Sequence, residues 1–125
     1  MTDLLLVGMG GFIGAASRYG VILGVSRVLG QPSFPWGVLA VNVLGSLLIG
    51  VLAGLVETRQ LFGPGARLFL FVGVLGGFTT FSAITNDTLT LLRSAAYLSA
   101  AANVLLTVAL GLAAVAIGYA AARAM

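Results

Sequence analysis

Long apolar runs separated by short polar connections make up this chain, and they predict four membrane-spanning helices. We expect these helices over residues 4–29, 36–56, 66–92 and 95–122. Each run exceeds the roughly 20 residues that a helix needs to cross the hydrocarbon layer. The connections are too short to hold a soluble domain. The sequence therefore predicts a single all-α transmembrane domain over residues 1–125.

The third apolar run contains the polar segment GGFTTFS, residues 76–82, deep inside it. No charged residue occurs from Leu68 to Asn86, so this segment is expected at membrane depth. Adjacent glycines weaken a helix, and hydroxyl groups can hydrogen-bond a loosened backbone. We therefore predict that the third helix is broken at Gly76-Gly77. Broken membrane helices often hold ions on their freed backbone groups, which predicts a small ion as the cargo.

The composition agrees with an integral membrane protein, because only 7% of the residues are charged, against about 25% in soluble domains. The chain has no cysteine and no histidine, which excludes disulfides and the usual transition-metal ligands. The net charge is +3, and the basic residues are scattered arginines that suggest no nucleic-acid partner. No nucleophile–base pair is present, so we do not expect an enzyme.

The distribution of arginines across the predicted loops is nearly even. Four spans place both termini and the middle loop on one side, with Arg59, Arg67 and Arg123. The other side carries Arg27 and Arg93. A chain without positive-inside bias can insert both ways round, and two opposed copies would form one symmetric unit. The alternative is that such small counts decide nothing.

Three polar side chains stand out in the second and fourth spans. Asn42 lies in the uncharged run 28–56, and its amide must find partners there. A ligand contact and a hydrogen bond between helices explain Asn42 equally well. Asn103 and Thr107 are four residues apart, so they share a helix face and could form a polar stripe. Thr107 by itself would more often bond its own helix backbone.

Two aromatic and two charged residues have a structural and a functional interpretation each. Phe78 and Phe81 would ordinarily pack or face lipid, but a positive ring edge beside hydroxyls also suits a bare anion. Charges inside a span are functional by default. Arg18 could extend to the interface, cap a helix or attract anions. Asp87 could simply meet water or Arg93.

Taken together, these motifs resemble the Fluc/CrcB family of fluoride channels. The resemblance rests on Gly10-Gly11, Gly14-Ala15 and Arg18-Tyr19 in the first span, Val41-Asn42 with Gly45 in the second, and residues 76–82 in the third. It covers nearly the whole chain. It implies passive export of fluoride from the cytoplasm across the inner (plasma) membrane. It also implies an antiparallel homodimer of dual topology, with two pores and a structural sodium ion between the subunits.

The resemblance further implies roles for particular residues. The sodium ion would lie on the backbone carbonyls of Gly76 and Thr79. The fluoride pore would be lined by Asn42, Thr80, Phe81, Ser82, Ile84, Asn103 and Thr107. Ile84 stands where the family usually has a second phenylalanine, and Asp87 where it usually has a glutamate.

Two other classes of membrane protein remain as alternatives. Small multidrug-type exporters share the four helices and the dual topology, but they need a glutamate embedded in the first helix, and this chain has none. The other alternative is a membrane assembly subunit that transports nothing. Hydroxyl and amide donors without a midspan carboxylate favour a small anion, because a cation path would more naturally carry acidic rings.

Overall fold

The computed structural model describes all residues from Met1 to Met125, and every regular element is helical. The long helices are α1 (Thr2–Leu29), α2 (Trp36–Arg59), α5 (Phe81–Arg93) and α6 (Tyr97–Ala124). Between α2 and α5 lie the short α3 (Pro64–Arg67), a π-helix (Leu68–Leu75) and the short α4 (Gly76–Phe78). Residues 64–93 form the third span. The predicted all-helical fold is confirmed.

Four segments are long and apolar enough to cross a membrane: Thr2–Leu29, Trp36–Arg59, Pro64–Arg93 and Tyr97–Ala124. The second helix extends three residues beyond the expected end at residue 56, because Glu57, Thr58 and Arg59 are still helical. It ends at Gln60, which has a left-handed backbone (φ 50°) and donates its N–H to the Val56 carbonyl. Polar residues at the end of a span can continue a helix into the interface, since they need no apolar surroundings.

The interruption of the third span does not lie where the glycine pair predicts it. Residues 76–78 are helical, and Gly76 itself has φ −63° and ψ −37°. The extended residues are Thr79 and Thr80, with ψ of 155° and 120°. The predicted break at Gly76-Gly77 is therefore wrong by three residues. The glycines permit close helix packing instead: a Cβ on Gly77 would lie 2.6 Å from the carbonyl oxygen of Gly11.

Glycines also bring the other helices together. A Cβ on Gly10 would lie 2.9 Å from the Cα of Gly73, where α1 crosses the π-helix. One on Gly54 would lie 2.6 Å from the Cβ of Ala122, where α2 runs along α6. Without a hydrophobic driving force between helices in lipid, such close backbone approach supplies much of the packing energy. The helices thus form two tight pairs, α1 with the third span and α2 with α6.

Large apolar side chains cover the outside of the molecule. Leu98, Phe12 and Leu112 are among the most exposed residues, and only 18 of 125 residues are buried. A soluble protein of this size could not present so much apolar surface, whereas lipid solvates it. The polar side chains converge instead on the interruption of the third span, next to α2 and α6.

Candidate functional site

A groove of about 830 Å³ opens along α2, α5, α6 and the interruption of the third span. Most of its walls are apolar, and the polar groups are concentrated at the interruption. Of the residues that the sequence singles out, the groove is lined by Asn42, Gly76, Thr79, Thr80, Phe81, Ile84 and Thr107. The fold therefore brings residues from the second, third and fourth spans into one site.

The Asn42 side chain forms two hydrogen bonds with the backbone of Thr80 at the interruption. Its Oδ1 accepts the Thr80 N–H at 2.9 Å, and its Nδ2 donates to the Thr80 carbonyl at 3.3 Å. Asn42 is buried, so water competes poorly for these bonds. One of the two Nδ2 hydrogens remains for another acceptor. A hydrogen bond between helices is one explanation of Asn42 that the sequence allows. In the structure Asn42 does bond another span, but its partner there is the extended backbone of Thr80.

Four backbone carbonyls at the interruption, those of residues 76–79, lose the donors that a continuous helix would give them. In an α-helix the Thr80 N–H would bond the Gly76 carbonyl, and the Ala83 N–H would bond the Thr79 carbonyl. Here the Thr80 N–H goes to Asn42, and the Ala83 N–H goes to the Thr80 Oγ1 at 3.2 Å. The carbonyls of Gly76 and Thr79 are left for another partner, and both residues line the groove.

The start of α5 presents donors rather than acceptors. Thr80 caps this helix through its hydroxyl, which also lies 3.2 Å from the Ser82 hydroxyl. The N–H groups of Phe81 and Ser82 belong to the first helical turn, where no intrahelical acceptor exists for them. A cluster of neutral donors therefore lies beside the freed carbonyls.

A second cavity of about 460 Å³ reaches the same segment from the side of α1. It is lined by Arg18, Ile22, Thr80, Ser82, Ala83 and Asn86. Thr80 lines both cavities and so stands between them. The guanidinium of Arg18 gives this second cavity a positive charge within the first span.

Arg18 and Asp87, the two charged residues for which the sequence suggests a function, lie in different surroundings. Asp87 lines neither cavity. Its buried Oδ2 has no hydrogen-bond partner. The pairing with Arg93 that the sequence left open is not formed at this oxygen.

Asn103 and Thr107 do not act as one polar stripe. Asn103 is only 1% exposed, and its Nδ2 donates to the Thr88 hydroxyl at 3.0 Å and to the Ile84 carbonyl at 3.4 Å. Both hydrogen bonds of its amide nitrogen go to α5, and Asn103 does not line the groove. Thr107 lines the groove, and its Oγ1 has no partner. Thr107 is thus the residue of this pair that is free to donate to a ligand.

Phe81 and Ile84 both line the groove at the start of α5. Phe81 is 78% exposed, so its ring has few neighbours within the chain. Ile84 is half-buried, and its carbonyl accepts from the hydroxyl of Thr88 at 2.7 Å. The two side chains offer a ring and an aliphatic wall to the same path.

Sequence reasoning passed over Thr88 and Asn86. Thr88 connects Asn103 to Ile84, and Asn86 lines the cavity beside Arg18. Their spacing gave a usable signal: Thr88 follows Ile84 by four residues, and Asn86 follows Ser82 by four, which places each pair on one helix face.

The side chains that most often bind metal ions form no cluster. No group of three or more histidine, cysteine, aspartate or glutamate residues occurs in the structure. A hard cation would therefore need backbone oxygens, which suit such ions as well as carboxylates do. Among the carbonyls without helical donors, those of Gly76 and Thr79 belong to residues that line the groove, and they fit that requirement.

Comparison with known proteins gives one consistent family. Residues 5–119 match the family model described as CrcB-like protein, Camphor Resistance (CrcB). A protein of Rhizobium meliloti named fluoride-specific ion channel FluC is 46% identical over 125 residues, covering 100% of this chain and 99% of the relative. A FluC of Nitrobacter winogradskyi is 45% identical over 117 residues, covering 94% and 92%. A FluC of Elusimicrobium minutum is 42% identical over 123 residues, covering 98% and 95%.

Proposed function

The chain belongs to the CrcB family, and we propose that it is a passive, fluoride-selective ion channel. It is a multi-pass membrane protein with four spanning helices. Relatives that match nearly its full length carry the name fluoride-specific ion channel. Neither a multidrug-type exporter nor an assembly subunit is favoured by these relatives. We place the channel in the inner (plasma) membrane, where it lets fluoride leave the cytoplasm.

The observation that carries this function is the position of Thr80 between the two cavities, surrounded by neutral donors. Fluoride holds its hydration water strongly, so a pore must replace that water with hydrogen-bond donors. Arg18 would attract the anion into the cavity next to α1. The hydroxyls of Ser82 and Thr80 would then receive it at the interruption.

On the groove side, the ion would meet three further groups. The remaining Nδ2 hydrogen of Asn42 and the unpartnered hydroxyl of Thr107 are its hydrogen-bond donors there. The exposed Phe81 ring offers a positive edge, while Ile84 offers only an apolar wall. Asn103 would hold α5 in place rather than touch the ion, and we assign no ion contact to Asp87.

We propose that the working unit is an antiparallel homodimer. Asn42, Thr80 and Thr107 line a groove that opens to the outside of the molecule, and a polar groove cannot be left open to lipid. A second copy of the chain would cover the groove and complete its wall. Opposed insertion of the two copies agrees with the even arginine count of the loops.

A structural sodium ion at the centre of that dimer fits the residues present. The carbonyls of Gly76 and Thr79 lack their helical donors and line the face that the second copy would cover. Two copies would bring four such oxygens together. The ion would neutralise their partial charges and so stabilise the interruption; no transport step depends on its movement.

Fluoride efflux from liposomes that contain the pure protein tests the proposed function. We expect fluoride to leave passively along its gradient and chloride, measured in parallel, to stay inside. Liposomes that release chloride as readily as fluoride, or neither ion, would contradict the proposal. Uptake of organic cations driven by a proton gradient would favour the exporter instead.

A further inference from the structure

The interruption of the third span is maintained by side chains that compete for backbone N–H groups. Residues 76–83 contain no proline, and residues 76–78 are already helical, so a continuous helix would be sterically allowed. Such a helix would satisfy every backbone group of the segment. Other groups must therefore outcompete the helical hydrogen bonds that the N–H groups of Thr80 and Ala83 would make.

We propose that Asn42 and Thr80 are positioning residues for the cation site, an inference that rests on the sodium site proposed above. Asn42 Oδ1 takes the Thr80 N–H, which would otherwise bond the Gly76 carbonyl. The Thr80 hydroxyl takes the Ala83 N–H, which would otherwise bond the Thr79 carbonyl. Each side chain thereby frees one carbonyl oxygen for sodium.

The Asn42 contact is suited to this competition because it is bidentate. The shorter bond, from the Thr80 N–H to Oδ1 at 2.9 Å, is the one that frees the Gly76 carbonyl, and the longer donation from Nδ2 to the Thr80 carbonyl at 3.3 Å supports it. The two bonds resemble those of a hydrogen-bonded residue pair in an antiparallel sheet. They hold Thr80 in its extended conformation, with φ −153° and ψ 120°. Burial of the amide strengthens both bonds by keeping water away.

The consequence is that Asn42 serves both ions through different atoms. Its Oδ1 keeps the Gly76 carbonyl free for sodium, and its second Nδ2 hydrogen remains for fluoride. A variant that preserves the oxygen but removes the amide hydrogens should separate the two roles. Asn42→Asp does this, because a carboxylate oxygen still accepts the Thr80 N–H while its charge repels an anion. Asn42→Leu, of similar shape, removes both roles.

The experiment measures the unfolding temperature of the detergent-solubilised full chain in sodium chloride and in N-methylglucamine chloride at equal ionic strength. For the parent we expect a higher unfolding temperature in sodium, because a bound ion stabilises the folded state. We expect Asn42→Leu to lose this sodium-dependent rise and Asn42→Asp to retain it. Both variants should lose fluoride flux. Asn103→Leu is the matched control, a buried asparagine outside the interruption, and should keep the rise.

The outcomes separate the inference from the function on which it rests. If Asn42→Leu keeps the parent's full rise in sodium, or if Asn42→Asp loses it, the positioning role is overturned while the sodium site stands. If Asn42→Leu does not fold, Asn42→Asp and Thr80→Val decide, and a full rise in Thr80→Val would contradict the role of that hydroxyl. If the parent itself shows no rise, the sodium site fails. The backbone ¹³Cα chemical shift of Thr80, which is extended in the parent, then tests the positioning alone: movement towards helical values in Asn42→Leu supports it, and no movement overturns it.

Discussion

Gly45 of α2 packs directly against the interruption, and its replacement by alanine should disturb the channel more than the size of a methyl group suggests. A Cβ at this position would overlap the Cγ2 atom of Thr79 and lie 3.3 Å from the Cδ1 of Phe78. Carbon atoms in contact normally lie about 3.5–4.0 Å apart, so Thr79 would have to retreat by roughly an ångström. Thr79 is held by the bond from its hydroxyl to the Leu75 carbonyl at 2.9 Å.

The expected cost follows from these contacts. Overpacking a filled site costs about 1–3 kcal/mol, whereas alanine gains up to about 1 kcal/mol over glycine in a helix. The net loss of stability should therefore be about 0–2 kcal/mol, and the protein should still fold. Displacing Thr79 also moves the carbonyl and hydroxyl groups that face the ions. If about 1.4 kcal/mol of the overpacking cost is relieved by displacing these groups and is thereby lost from the stabilisation of the passing ion, the rate of fluoride efflux should fall about tenfold.

Fluoride efflux from liposomes, measured at equal protein content, tests this expectation. Gly20→Ala is the control, because Gly20 lies within α1 and a Cβ there would have no neighbour within 4 Å. Thr79→Ser removes the overlapping Cγ2 and keeps the hydroxyl, so the double variant Gly45→Ala/Thr79→Ser should regain most of the lost flux. The reasoning is refuted if Gly45→Ala conducts like the parent. It is also refuted if the double variant is no better than Gly45→Ala while Thr79→Ser alone conducts normally.

Three further predictions use the same preparation. Phe81→Ile should cut fluoride flux far more than Ile84→Phe, since the first removes the only ring of the pair and the second adds one. Flux like the parent's in Phe81→Ile would mean that ring edges are not needed. Thr107→Val should lower flux several-fold because the groove loses an unpartnered hydroxyl, whereas Thr90→Val, on the exposed face of α5, should not; equal effects would contradict this. A single cysteine at Met125 should be labelled from both membrane faces, and labelling from one face only would reject dual topology.

The four spans could be predicted from the sequence because hydropathy over 20 or more residues depends only on local composition. Hydropathy predicts the ends of the helices less well than it predicts the spans. Residues 57–59 are polar, so they mark the end of the apolar run, yet the helix continues through them until the left-handed Gln60. Hydropathy locates the hydrocarbon boundary, whereas the helix ends where the backbone finds another partner.

The interruption of the third span was predicted to exist but was misplaced, and the reason lies in another helix. Glycine propensity points to Gly76-Gly77, but those residues are helical and serve the contact with α1. The backbone leaves the helix where Asn42 supplies a better partner, and that residue is 38 positions away in the sequence. Local propensity carries no information about such a distant competitor.

The roles of Asn103 and Thr107 show the same limit within one helix face. Their spacing of four residues correctly places them on neighbouring turns, but it does not say which neighbour each side chain meets. Asn103 meets Thr88 and Ile84 on α5, while Thr107 faces the groove with its hydroxyl unpartnered. Predicting this difference requires the crossing of α5 and α6, which is set by tertiary packing.

The absence of charged groups from the interruption follows from what the proposed ions require of it. A lysine or arginine there would bind fluoride too tightly to release it, and a carboxylate would repel it, since conduction needs binding that is neither too strong nor too weak. Neutral N–H, O–H and C=O groups avoid both problems, and a helix can supply all of them only where its own hydrogen bonds are broken. Asn42 and the Thr80 hydroxyl break two such bonds without adding net charge. Arg18 can then attract the anion into the neighbouring cavity, which Ser82 helps to line and which meets the groove at Thr80.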